Sequence, residues 1–277
     1  MKQDTEKKSS GKLLIILGLV SITILFVLYS RYQNSELITP NAIDSIQRMA
    51  YAFYVILFFS FGAIAYGIHK FHKEKATNET AGLLHIIALS TWNKKAQKIF
   101  ILTFLGYGIF FVLVSGTVVY QPDVTFSVHY NAKIPSAFVA PCCDAPGYMP
   151  KIIAYLTEHV GLQIIPLNLV LQVVVSYLVG LNMSMAVSAI KISKKTKSTN
   201  IVGATTGLFI ACPTCAGSLL SIFVGTAGGV TLGVALSQLQ TVFIAISIPI
   251  LLVTPFIFAR RLRRDDGSCR IDKTGSM

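Results

Sequence analysis

The sequence has few charged residues and, among these, few acidic ones. Of its 277 residues, 12 are Asp or Glu and 24 are Lys or Arg, so only 13% are charged. A soluble globular domain usually carries about 25% charged residues. The chain also contains no phosphate-binding loop, no hydrolytic triad pattern and no helical metalloprotease motif. It therefore gives no support for ATP-driven transport or for hydrolytic catalysis.

Charge is absent from the interior of six long apolar runs. These are 13–30, 49–68, 99–120, 164–190, 201–224 and 230–258. A helix needs roughly 20 apolar residues to cross a bilayer. The sequence therefore predicts an all-α polytopic protein of the plasma membrane with six transmembrane helices. Because no carboxylate lies inside a run, a proton-coupled pump of the usual kind is disfavoured.

The cations that remain are distributed unevenly between the runs. Residues 1–12, 69–98, 191–200 and 259–277 carry 4, 6, 4 and 6 of them, whereas 31–48 and 121–163 carry 2 each. Because positive residues stay on the cytoplasmic side, both termini are predicted to be cytoplasmic. The predicted organisation is a tail at 1–12, a membrane domain at 13–258 and a basic tail at 259–277. The net charge of +12 is then explained by cytoplasmic loops beside lipid, without a nucleic-acid partner.

The longest outer segment, 121–163, has patterns of its own. Apolar and polar residues alternate over 124–131, which predicts a short β-strand. Over 151–160 the apolar residues recur at helical spacing, which predicts a short amphipathic helix that ends at Gly161. In the fourth run, the amides Asn168, Gln172 and Asn182 are expected to bond a neighbouring helix, in this chain, a second copy or another membrane protein.

The chain has five cysteines, and four of them lie close together in sequence as two pairs. These pairs are Cys142-Cys143 and Cys212-Pro213-Thr214-Cys215. The second pair lies within the fifth run, where Pro213 removes a helical hydrogen bond and bends the helix. Thiolates are soft ligands that suit Cu(I) and, by the same logic, Hg(II). A C-x-x-C pair also suits cycling between dithiol and disulfide. The third interpretation is packing, since cysteine behaves as a small hydrophobe.

The adjacent cysteines bear on this choice. Neighbouring cysteines form a disulfide only with strain, so they suit joint ligation of one soft ion. Further ligands are expected among soft or nitrogen donors along the same path. These are His129, Met149, His159, Met183 and Met185.

The two cysteine segments invite a comparison with known families. Cys142-Cys143 with Pro146, and Cys212-x-x-Cys215-Ala-Gly with the glycines that follow, resemble the paired-cysteine helices of mercuric ion transport proteins. The second segment is also similar to the proline-flanked cysteine helices of CcdA/DsbD-type membrane thiol electron carriers. The resemblance covers only these segments, and it implies soft-metal or thiol chemistry without choosing between the two.

Three functions follow from these patterns. The first is binding or transport of a soft metal, copper before mercury, with Cys142 and Cys143 at the entry and Cys212 and Cys215 in the membrane. The second, the only enzymatic one, is a transmembrane thiol–disulfide electron carrier that uses Cys212 and Cys215. The third is a non-catalytic accessory subunit of a membrane complex.

Overall fold

The fold is described by a computed structural model, which covers residues 10–31, 43–77, 82–92, 94–142, 147–195 and 248–260. Its secondary structure is mostly helical. The helices are α1 (Ser10–Arg31), α2 (Ile43–Thr77), α3 (Leu83–Trp92), α4 (Lys94–Val114), the single turn α5 (Phe126–His129), α6 (Pro166–Lys195) and a helix at Ile248–Arg260. The strands are β1 (Val118–Tyr120), β2 (Ser136–Ala140), β3 (Lys151–Tyr155) and β4 (Val160–Ile164).

Four of these helices are long and apolar enough to cross a membrane. Within the described ranges they are Ser10–Arg31, Asp44–Ala76, Lys94–Leu113 and Pro166–Val187. They match the first four predicted runs and indicate a helical membrane protein. The predicted fifth run lies outside the described residues. Of the sixth, only the shorter helix Ile248–Arg260 is described.

The chain divides into two compact units. The first contains residues up to Glu74 together with 115–172, and the second contains 75–114 together with residues from 173 onward. The first unit therefore holds α1, most of α2, the strands, α5 and the first turns of α6. The second holds α3, α4, the rest of α6 and the Ile248–Arg260 helix.

In the first unit, α1 and α2 pack antiparallel through small residues. Near the start of α1, a Cβ added at Gly11 would lie 2.9 Å from the backbone of Gly67 and Phe71, near the end of α2. Further along, Ser60 Oγ donates to Ser21 Oγ at 3.0 Å. Without a hydrophobic driving force between helices in lipid, such close backbone approach and polar contact stabilise the pair.

The segment predicted as the outer loop folds as a four-stranded antiparallel sheet with strand order β1-β4-β3-β2. Two local predictions were wrong. Residues 124–131 contain the helical turn α5 and no strand, and residues 151–160 form β3, a turn and the start of β4 where an amphipathic helix was expected.

Residues of β3 and β4 are at least partly buried on both faces of the sheet, which explains the second error. Val139, Ile152 and Ile164 lie on one face and pack with the buried aromatic residues of α1 and α2. On the other face, Phe126 of α5 is 2% exposed and stands over Gly161. A strand buried on both faces carries apolar residues at consecutive positions, so it loses the alternation that identifies a strand.

In the second unit, α3, α6 and the Ile248–Arg260 helix share a buried cluster that includes Ile86, Met185 and Phe258. Helix α3 begins directly after Gly82. Its apolar residues Ile86 and Ile87 are buried in protein. A second cluster joins Val175 and Leu178 of α6 to Leu251.

Candidate functional site: the β2–β3 connection

The connection between β2 and β3 contains Cys142, the only cysteine among the described residues. Cys142 is disulfide-bonded, and its partner lies outside those residues. It is also partly exposed. A disulfide sulfur has no negative charge and is not a thiolate ligand, because only the thiolate binds a metal. Cys142 is therefore in a state that must gain electrons before it can coordinate a soft ion.

The peptide group just before Cys142 is held by helix α1. The hydroxyl of Tyr29 donates to the Pro141 carbonyl at 2.5 Å. This carbonyl belongs to the same planar peptide unit as the Cys142 nitrogen, so the hydrogen bond restrains both residues. Tyr29 lies in the last turns of α1 and is 6% exposed.

Two more carbonyls of the connection are bonded to helices of the first unit. The Gly147 carbonyl accepts a hydrogen bond from the Leu167 N–H in the first turn of α6, at 3.1 Å. That N–H has no partner within its own helix, so the contact satisfies an exposed helix end. The Pro150 carbonyl accepts from the hydroxyl of Tyr54 on α2 at 2.6 Å. The connection is thus bonded to α1, α2 and α6.

An aromatic cluster fixes the two tyrosines. The ring of Phe53, which is 1% exposed, lies 5.1 Å from the ring of Tyr29 and 5.7 Å from that of Tyr54, both edge-to-face. Phe26 adds a further edge contact to Phe53 at 5.4 Å. Such packing limits the rotamers of the two tyrosine rings and holds their hydroxyls against the Pro141 and Pro150 carbonyls.

Sequence reasoning missed both of these tyrosines, which anchor the connection to α1 and α2. In the sequence, the aromatic residues of the second run look like membrane-interface anchors. The structure divides them, since Phe53 and Tyr54 are buried while Tyr51, Phe58 and Phe59 are exposed. The available signal was helical spacing: Ala50, Phe53, Tyr54 and Leu57 recur at intervals of three and four and form the buried side of α2.

The predicted additional ligands of the outer segment have other neighbours in this structure. Met149 is 7% exposed and packs in the hydrophobic cluster with Tyr29 and Phe53. His129 is exposed, and its ring lies edge-on to that of Tyr130 at 4.7 Å. His159 points Nδ1 at the carbonyls of Val124 and Gln121, at 3.1 and 3.2 Å. Since a carbonyl only accepts, these two contacts place a proton on Nδ1.

Of the remaining predicted residues, two methionines lie in the second unit and three cysteines lie outside the described residues. Met185 is fully buried in the hydrophobic cluster of the second unit, and Met183 is partly buried. Cys143, Cys212 and Cys215 lie outside the described residues. Across the described ranges, no group of three or more His, Cys, Asp or Glu side chains is close enough to hold a metal ion.

A polar contact ties the turn between β3 and β4 to α5. Glu158 accepts hydrogen bonds from the Ser127 hydroxyl at 2.6 Å and from the Ser127 N–H at 3.2 Å. These bonds favour the carboxylate, so they lower the pKa of Glu158 below its ordinary value of 4.5. Because the Ser127 N–H is in the first turn of α5, the carboxylate also caps this turn.

A second polar feature lies in the other unit, where Asn182 of α6 is fully buried. Its Nδ2 donates to the Leu251 carbonyl at 3.0 Å and to Leu178 of its own helix at 2.9 Å. In the Ile248–Arg260 helix, the donor to Leu251 would be the N–H of residue 255, which is a proline and has none. Asn182 therefore supplies the donor that Pro255 removes, and it confirms the expectation that this amide bonds a neighbouring helix.

Comparison with known proteins finds no matching family, no matching curated protein and no matching solved structure.

Proposed function

We propose that this protein is an integral membrane thiol–disulfide electron carrier in which Cys142 is one of the redox cysteines. The observation that supports the proposal is the disulfide at Cys142, in a connection hydrogen-bonded to helices that qualify as membrane spans. The resemblance of the Cys212–Cys215 segment to membrane thiol electron carriers points the same way. In this proposal the chain has six spans in the plasma membrane, both termini are cytoplasmic, and Cys142 is on the outer side.

The proposed reaction is an exchange between a donor dithiol and the Cys142 disulfide. A thiolate of a reduced dithiol attacks one sulfur of the Cys142 disulfide, the S–S bond breaks, and a mixed disulfide forms. The second thiolate of the donor resolves it. Two electrons pass to the protein, two protons go to its thiolates, and the donor leaves as a disulfide. The pair Cys212 and Cys215 is proposed as the dithiol that passes electrons within the membrane.

The reduction potential of the disulfide at Cys142 tests this proposal. Catalytic disulfides are reduced between about −120 and −270 mV, whereas structural disulfides lie below about −300 mV. Purified protein would be equilibrated in dithiothreitol buffers, quenched with a maleimide, and the labelled fraction of Cys142 measured by peptide mass spectrometry. A midpoint in the catalytic range supports the carrier. A midpoint below the structural limit overturns it and leaves a stabilising crosslink.

Electron passage itself is tested in sealed vesicles. A membrane-impermeant phosphine on the cytoplasmic side is expected to reduce Cys142 on the outer side, and this reduction should disappear in a Cys212→Ser, Cys215→Ser variant. The matched control is Cys269→Ser, which removes the cysteine of the polar tail that belongs to neither sequence pair and should change nothing. Reduction that persists in the double variant contradicts the proposed relay.

Soft-metal binding is the second candidate, and the donor set favours it. Two cysteine pairs and no carboxylate in the apolar runs form a purely soft set that suits Cu(I). Because Cys142 is oxidised in the structure, metal binding requires prior reduction. Competition for Cu(I) between a chromogenic chelator and the reduced protein measures this. Tight binding by reduced wild type and not by Cys142→Ser supports a metal function. Absence of both metal binding and electron passage favours an accessory subunit of a membrane complex.

A further inference from the structure

Of the hydrogen bonds described at the connection, the one from Tyr29 lies closer in sequence to Cys142 than those from Leu167 and Tyr54. Tyr29 bonds the Pro141 carbonyl, in the peptide unit that contains the Cys142 nitrogen. The bonds at Gly147 and Pro150 lie five and eight residues further along the chain. A planar peptide transmits the restraint directly to the Cys142 Cα, about 3.8 Å from that of Pro141.

Tyr29 cannot easily release this carbonyl. Its ring is 6% exposed and packs edge-on against Phe53, which is 1% exposed, so a change of rotamer would disrupt the buried cluster. The hydroxyl would also lose its partner in a buried position, which is costly. The backbone at Cys142 is thus restrained by a rigid group on α1.

We infer that Tyr29 is a positioning residue for Cys142, which keeps the backbone at this cysteine in place when its disulfide is reduced. The inference rests on the proposed redox function and deepens it. With the backbone restrained at this residue, the reduced Cys142 thiol samples fewer positions than it would in a free loop. Reformation of the disulfide is then favoured, because less conformational entropy is lost on closure.

The test replaces Tyr29 with phenylalanine, which keeps the buried ring and removes only the hydroxyl. Without the bond, the reduced connection has more freedom, so the disulfide should become easier to reduce. A single hydrogen bond of ordinary strength corresponds to a change of about three- to tenfold in the equilibrium constant with dithiothreitol. A tenfold change raises the midpoint potential by about 30 mV.

The matched control is Tyr54→Phe. It removes a tyrosine hydroxyl of similar burial, which lies 2.6 Å from the Pro150 carbonyl at the far end of the connection and 3.1 Å from the Ile164 carbonyl. If Tyr29 acts on Cys142, the Tyr29→Phe shift should exceed the Tyr54→Phe shift several-fold, although both variants lose similar thermal stability. Equal shifts in the two variants, or a Tyr29→Phe equilibrium constant within twofold of wild type, overturn the inference.

A measurement on the unsubstituted protein covers the case in which the variant misfolds. Amide hydrogen exchange is followed for the peptide that contains Cys142, before and after reduction. Slow exchange in both states supports a backbone that stays anchored. Exchange at the rate of an open loop after reduction overturns the inference. Failure of electron passage in vesicles, with the Tyr29→Phe shift still present, would instead reject the carrier function alone.

Discussion

Replacing Asn182 with leucine is expected to destabilise the second unit by breaking its bond to Leu251. Asn182 is completely buried, and its Nδ2 lies 3.0 Å from the Leu251 carbonyl. Leucine has a similar size but no donor. Because Pro255 provides no N–H to this carbonyl, the substitution leaves a buried acceptor without the donor that replaced it.

The magnitude follows from two opposing contributions. Interhelical hydrogen bonds within membranes contribute about 0.6 kcal/mol on average and about 1.7 at most. The Leu251 bond should be near the upper value, since its loss leaves the carbonyl buried and unpaired. Against this, Asn182 Oδ1 has no hydrogen-bond partner in the described structure, and leucine removes that cost. We expect a net loss of about 1 kcal/mol.

The assay is a double-mutant cycle with Pro255→Ala, read by far-UV circular dichroism during unfolding in mixed detergent micelles. Alanine at position 255 restores an N–H that can donate to Leu251 within the helix. Asn182→Leu should therefore cost less in the Pro255→Ala background, with a coupling energy above about 0.5 kcal/mol. Additive costs, or a neutral Asn182→Leu in the wild-type background, would refute the reasoning.

Two further outcomes are expected in the first unit. Gly18→Ala should lower the free energy of unfolding in detergent by about 1–3 kcal/mol, because the added Cβ would lie 2.4 Å from Ile64 Cγ1. The control is Gly62→Ala, whose added Cβ would meet no atom within 4 Å. Equal losses in the two variants would contradict close packing at Gly18. Glu158 has a lowered pKa because it accepts the hydrogen bonds of Ser127. Its contribution is therefore present above pH 4.5 and lost as pH falls through the lowered folded value. Unfolding curves of wild type and Glu158→Gln should differ at pH 7 and converge at acidic pH, and a constant difference would count against it.

The sequence predicted the helical membrane class well because that class depends on local composition. A run of apolar residues long enough to cross a bilayer can satisfy its backbone hydrogen bonds only as a helix, whatever surrounds it. The runs at 13–30 and 49–68 accordingly correspond to α1 and α2, although α2 begins six residues before its run and ends nine residues after it. The bond of Asn182 to another helix was predictable for the same reason, since a buried amide in an apolar helix needs a partner.

The turn α5 shows where local pattern was insufficient. Its residues alternate as in a strand, but its first N–H groups are bonded by Glu158, some thirty residues away in sequence. Phe126 is buried because it packs over Gly161 of β4. Neither contact can be inferred from the sequence of residues 124–131 alone, so their periodicity predicted the wrong secondary structure.

The sequence by itself determined the helical membrane class and which cysteines are candidates for chemistry, because run length and residue type are local properties. It identified Cys142 but not what holds it. Only the tertiary structure decided that Tyr29, more than one hundred residues earlier, bonds the peptide of Cys142, and that Asn182 bonds the carbonyl freed by Pro255. Both contacts depend on how helices pack, and packing is set by the shapes of distant surfaces that no local pattern records.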